Sequence, residues 1–120
     1  MTNRPLQTMT SYRPIEPRQA LLRLQVLLNR PVKVEVNDYG SFFGCAFRGT
    51  LEQVEVLPAS ETAITVFLSG GGGFFLDFDS ADAFLVREGG GPPWLEFRRR
   101  DGGPTIEVQP ARELGSHLPG

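Results

Sequence analysis

Between residues 31 and 87, apolar and polar side chains alternate in short runs separated by turn-forming residues. Alternation with period two is the signature of a strand that buries one face. The runs predict five strands, over residues 32–36, 42–57, 63–68, 74–78 and 84–87. In the first, Val32, Val34 and Val36 share one face, and Lys33 and Glu35 the other. In the second, Phe43, Cys45, Phe47 and Leu51 share a phase, whereas Val54 and Val56 fall on the opposite one. A phase slip inside one strand predicts a bulge or sharp bend, and Gly49 is the expected pivot. In the third, Ile64, Val66 and Leu68 face inward. In the fourth, Phe74, Leu76 and Phe78 face inward and Phe75 and Asp77 outward.

The connections carry turn chemistry. They are Asn37-Asp38-Tyr39-Gly40, Pro58-Ala59-Ser60-Glu61, a flexible glycine loop over residues 69–73, and a turn or a single helical turn at residues 79–82. Past the Gly89-Gly90-Gly91-Pro92-Pro93 break, residues 94–99 and 105–108 predict a hairpin across Asp101-Gly102-Gly103. Ahead of the strands, Pro17 suits a first helical position and Pro31 lies just beyond the stop near Asn29. Ala20, Leu21, Leu24, Leu27 and Leu28 make an apolar face at helical spacing. Leu22, Leu24, Val26 and Leu28 also alternate as a strand would. Helix is preferred because Ala, Leu, Arg and Gln all favour it.

At 120 residues the chain has the size of one domain. The expected organisation is a single domain over residues 15–109, with polar, Pro-containing tails at 1–14 and 110–120. Net charge is −2, which argues against general polyanion binding. It is unevenly spread: the balance is +5 over residues 1–34, −8 over 35–97 and +1 over 98–120. Mutual neutralisation of these segments on folding is the expected outcome. The single cysteine, Cys45, rules out an intrachain disulfide and a thiolate metal site. Residues 1–14 have no apolar core of the kind a secretory signal needs, and no apolar run approaches about 18 residues. The cytoplasm is the expected location.

The stretch LLNRPVKVEVNDYGSFFGCAFRGTLEQV, with its helix, short strand, Asp/Gly turn and bent strand, resembles the first half of an Sm motif. GGFFLDFDSADAFLV resembles the second half, strand–turn–strand. The resemblance covers about residues 17–88 and is shared with SH3-type barrels. It implies a mainly-β fold: a small five-stranded Sm-like or SH3-like barrel with an N-terminal helix and an appended C-terminal β-hairpin. The family's RNA-binding members carry an Asp and an Asn in the loop after the bent strand. Here that loop is Val56-Leu57-Pro58-Ala59-Ser60-Glu61, without Asn. Where the family has Arg-Gly in the second motif, this chain has Asp77-Phe78, and a carboxylate there would repel phosphate.

Candidate chemistry is sparse. Cys45, on the phase of Phe43 and Phe47, reads as a buried small hydrophobe. The only histidine, His117, lies in the C-terminal tail, so a nucleophile–base pair and a histidine metal site are not expected. Asp77, Asp79 and Asp82 match no calcium loop and read as a solvated face and turn. Gly70 to Gly73 lack the Lys-Ser/Thr step of a phosphate loop. No catalytic residue, cofactor or metal is therefore expected. Phe42, Phe67 and Phe75 fall on the outward phase. Either they form an apolar patch for a partner, or the helix or the hairpin covers them. Arg98, Arg99 and Arg100 are the only basic run, and Trp94 supplies a nearby ring for stacking on single-stranded nucleic acid. Glu96, Asp101 and Glu107 surround the run, and alternation puts at most two of the three arginines on one face.

The expected function is a non-enzymatic protein-interaction or assembly module, working through strand edges and the Phe surface, with itself or another protein as partner. Sm-like nucleic-acid binding through the flanking arginines is the alternative.

Overall fold

The computed structural model describes residues 9–38, 43–57 and 62–111. Its elements are β1 (Thr10–Ile15), α1 (Pro17–Val26), β2 (Pro31–Asp38), β3 (Phe43–Val56), β4 (Ala63–Leu68), β5 (Gly73–Asp77), β6 (Ala81–Glu88), β7 (Trp94–Arg99) and β8 (Thr105–Pro110). All eight strands join one open antiparallel sheet in the order β1-β6-β7-β8-β2-β3-β4-β5.

This corrects the expectation of a closed five-stranded Sm-like or SH3-like barrel. A barrel of the five central strands would close only if β6 paired with β2. Instead β8 takes the edge of β2, and β7 separates β8 from β6. The hairpin expected to be an appendage is thus an integral part of the sheet. Residues 10–14 of the segment read as a tail, together with Ile15, form β1 and pair with β6 in the register Thr10↔Glu88 to Ile15↔Ala83. They were illegible as a strand because the segment is short and polar, and only Ile15 is better than exposed.

The five strand positions read from alternation all hold strands, and their phases set the core. Val34 lies opposite Val108, Val108 opposite Leu95, and Leu95 opposite Leu85, so one row runs across β2, β8, β7 and β6. A second row runs Val36, Ile106, Phe97, Ala83, Ile15. These rows make the inner face. The long strand β3 brings the rest of the sheet back over it. Residues 43–50 of β3 pair with β2, and residues 51–56 pair with β4. The predicted phase slip appears as a register shift between Leu51 and Gln53. The shift falls just beyond Gly49, the expected pivot, which is still in register with Val32 on β2; a Cβ there would lie 3.0 Å from the Ser69 carbonyl oxygen. Ser69 in turn accepts a hydrogen bond on Oγ from the Thr50 N–H at 2.9 Å.

The returning strands bury Leu51, Ile64, Val66, Leu68 and Leu76 in the same cluster as Val34, Val108 and Leu95. Phe78 meets Phe97 edge-on, with centroids 6.0 Å apart. Helix α1 starts at Pro17, and Gln19 Oε1 accepts from the Glu16 N–H at 2.9 Å, which ties down the first turn. It buries Ala20 and Leu24 completely, and Leu21, Leu27 and Leu28 pack beside them. This is the face read from helical spacing. Among the described residues, no helix is long and apolar enough to cross a membrane.

Candidate functional site

An open sheet has two edge strands, here β1 and β5. In an antiparallel pair, residues alternate between exchanging hydrogen bonds with the neighbour and turning those groups away. On β5, the Leu68 N–H donates to the Gly72 carbonyl at 2.7 Å and the Phe78 N–H donates to the Thr62 carbonyl at 2.8 Å. With the register Ile64↔Leu76 and Val66↔Phe74, the bonded positions of β5 are Phe74 and Leu76. Gly73, Phe75 and Asp77 therefore point their N–H groups away from β4, and no described residue accepts from them.

The β1 edge differs. The Gly89 N–H donates to the Met9 carbonyl at 2.8 Å, so by alternation Thr10, Tyr12 and Pro14 turn outward. Pro14 has no N–H to offer. A proline at an outward position is how natural sheets blunt an edge. β5 carries no such guard.

Beside the open edge of β5 lies a groove of about 440 Å³. Val36, Phe97 and Ile106, from the second inner row, line it together with Leu76. Phe75 and Asp77 border it on β5, and Arg99 and Pro104 border it too. Phe75 is 56 % exposed and Phe67 is 40 % exposed. Phe67 pairs with Gly73 and Thr65 with Phe75, so the two rings are diagonal neighbours on the outer face of β4 and β5. Neither the helix nor the C-terminal hairpin covers them. Phe42, grouped with them from its phase, lies outside the described residues. Gly73 is obligatory at this edge, because a Cβ would stand 2.5 Å from the Val66 carbonyl oxygen.

The carboxylates Asp77, Asp79 and Asp82 are absorbed by the turn into β6. Asp77 Oδ1 accepts from the Asp79 N–H at 2.9 Å and from Thr62 Oγ1 at 3.3 Å. Asp79 Oδ2 accepts from Thr62 Oγ1 at 3.2 Å. Asp82 pairs with Arg100 at 2.9 Å. Among the described residues, no group of three or more His, Cys, Asp and Glu is placed to hold a metal ion. Cys45 is exposed, which corrects its reading as a buried hydrophobe. It stands opposite Val36 in register, near the start of β3 and away from residues 51–56, which pair with β4.

The arginine run divides as alternation requires, and each member has a carboxylate partner. Arg98 pairs with Glu96, Arg99 with Asp101, and Arg100 with Asp82. Arg98 also lies over the rings of Tyr12 and Phe84, at 4.8 and 4.5 Å from their centroids. Trp94 is on the same outer face as Arg98, four residues away along β7, and its indole Nε1 is buried without a partner among the described residues. A phosphate approaching any of the three guanidiniums must compete with a carboxylate already in place.

One feature of that face was not foreseen. Glu35 lies opposite Glu107, and Glu107 opposite Glu96, so three carboxylates stand side by side across β2, β8 and β7. Each is answered two residues along its own strand: Glu35 by Lys33 at 2.8 Å, Glu96 by Arg98, and Glu107 by the Gln109 amide at 3.0 Å. The middle one alone has a neutral partner. Burial raises the Glu107 pKa above its ordinary 4.5, the Gln109 hydrogen bond opposes the rise, and the charges of Glu96 and Glu35 add to it. Sequence alternation places Glu35 outward, but only strand order and register place the three together.

In comparisons with known proteins, no protein-family model, curated protein or solved structure matches this chain.

Proposed function

We propose that this chain is a non-enzymatic protein-interaction module that takes an extended segment of a partner as an added strand on β5. The observation that carries the reading is the unguarded edge of Gly73, Phe75 and Asp77 standing beside an apolar groove. Strand addition gains affinity from main-chain hydrogen bonds and specificity from pockets for alternate side chains, and this edge offers both. Phe67 and Phe75 add an exposed aromatic pair next to the same edge. Aromatic rings left in water beside an open ladder are the usual composition of an interface centre.

The test is the double variant Phe67→Ser/Phe75→Ser. Both rings already face solvent, so the variant should keep the cooperative melting curve of the parent. It should lose binding to purified partner, or lose self-association in light scattering if the partner is a second copy. A variant that unfolds would make the rings core residues. A folded variant with unchanged binding would place the interface elsewhere. Either outcome removes the reading.

A further inference from the structure

We infer that the occupant of the β5 edge is a single extended peptide segment, apolar at alternate positions and bearing a lysine or arginine, rather than the β5 edge of a second folded copy. The inference rests on the strand-acceptor reading above and names its ligand class.

The shape of the site excludes the β5 edge of a second copy. Val36 on β2, Ile106 on β8 and Phe97 on β7 are inner-face residues, and they line the groove at the free side of β5. A strand hydrogen-bonded to Gly73, Phe75 and Asp77 would have this floor beneath it. The β5 strand of a second copy already has its own floor beneath it, made by the same three residues. Two such edges brought together would place two layers in one space. A segment with no layer of its own has no such conflict.

The chemistry of the floor fixes the pattern. Val36, Leu76, Phe97 and Ile106 offer no hydrogen bond from their side chains, so the occupant's inward side chains, every second residue, are apolar. Its outward side chains stand next to Phe75, where β-branched and aromatic neighbours pack well across strands.

The charge at the rim is one-sided. Arg99 is neutralised by Asp101. Asp77 is held by the Thr62 hydroxyl and the Asp79 amide, and no cation pairs with it among the described residues. The groove therefore presents a net negative edge within a segment, residues 35–97, whose charge balance is −8. A cationic side chain on the occupant completes the pairing at Asp77.

The experiment is selection of a random-peptide display library on the immobilised full chain. Anisotropy titrations of the selected peptides then follow, against the parent, Phe75→Pro and Asp77→Asn. Phe75→Pro deletes an outward N–H and leaves the ladder to β4 intact. The expected peptides alternate apolar residues and carry Lys or Arg. Phe75→Pro should weaken them at least tenfold. Asp77→Asn should weaken them several-fold and flatten the salt dependence. If Phe75→Pro does not fold, N-methylation of the peptide at alternate residues makes the same cut from the other side and should weaken binding equally.

Selected peptides without alternation or without a cation would overturn the inference, as would failure to enrich any peptide. So would binding indifferent to both Phe75→Pro and N-methylation. A stable dimer that dissociates in Phe75→Pro would overturn the single-segment occupant while leaving β5 a strand acceptor. Peptide-induced amide protection confined to residues away from β5 would remove both readings.

Discussion

Glu107→Gln should make this protein more stable at neutral pH. Glu107 stands directly opposite Glu96 on one side and Glu35 on the other. Like charges directly opposite across antiparallel strands destabilise by roughly 0.2–1 kcal/mol per pair, so the two oppositions together cost on the order of 1 kcal/mol. Glutamine has the same shape, and its amide oxygen can still accept from Gln109. The expected gain of about 1 kcal/mol corresponds to a rise in melting temperature of roughly 4 °C for a chain of this size. The pH dependence has a definite sign. Because the folded-state pKa of Glu107 is raised from 4.5, the folded protein holds this proton more tightly than the unfolded chain does. Its contribution is therefore full below the ordinary carboxylate value and is lost as pH rises through the raised one. Melts of parent and variant at pH 4 and pH 7 read both effects. The difference between them should be large at pH 7 and shrink at pH 4, where Glu107 is largely protonated. A variant less stable than the parent at pH 7 would refute the reasoning, and so would a difference of equal size at both pH values.

Two further substitutions test the packing account. Thr105→Val should stabilise the fold by about 1 kcal/mol in urea titrations, because Thr105 Oγ1 is buried without a partner among the described residues and valine keeps the branched shape. Gly73→Ala should destabilise by more than about 1 kcal/mol, because its Cβ would stand 2.5 Å from the Val66 carbonyl oxygen, and backbone cannot swing aside as a side chain can. An alanine variant that melts with the parent would mean that β4 and β5 are less closely apposed than the register implies.

Local pattern was legible wherever burial is one-sided. Val32 and Val34 on β2, and Ile64, Val66 and Leu68 on β4, alternate because only one face of each strand meets the core, and each is buried as its phase requires. The bend of β3 was legible for the same reason, since a phase change between Leu51 and Val54 has no other simple cause. Strand order was not legible. The alternation of β7 and β8 is the same whether the hairpin hangs outside a barrel or lies between β6 and β2. That insertion is what opened the sheet. Strand β1 escaped because its residues are held by the backbone of β6 and not by apolar side chains of their own. At the site, the outward phase of Phe67 and Phe75 could be read directly. The groove beside them could not, because Val36, Phe97 and Ile106 come from three strands whose adjacency only the register supplies. Cys45 was misread because its phase was right and its position along the strand was not. The inner face is covered at Val34 and open at the end where Cys45 lies.

The claim that β5 is an unguarded edge made to receive a strand is tested most directly by amide hydrogen exchange at Gly73, Phe75 and Asp77, in the free protein and with a selected peptide at saturation. The free protein should exchange these outward amides quickly, while the amides of Phe74 and Leu76, paired with β4, exchange slowly. Peptide should slow the outward three and leave Phe74 and Leu76 unchanged. Outward amides already protected in the free protein, or left unprotected by a peptide that binds, would contradict the claim.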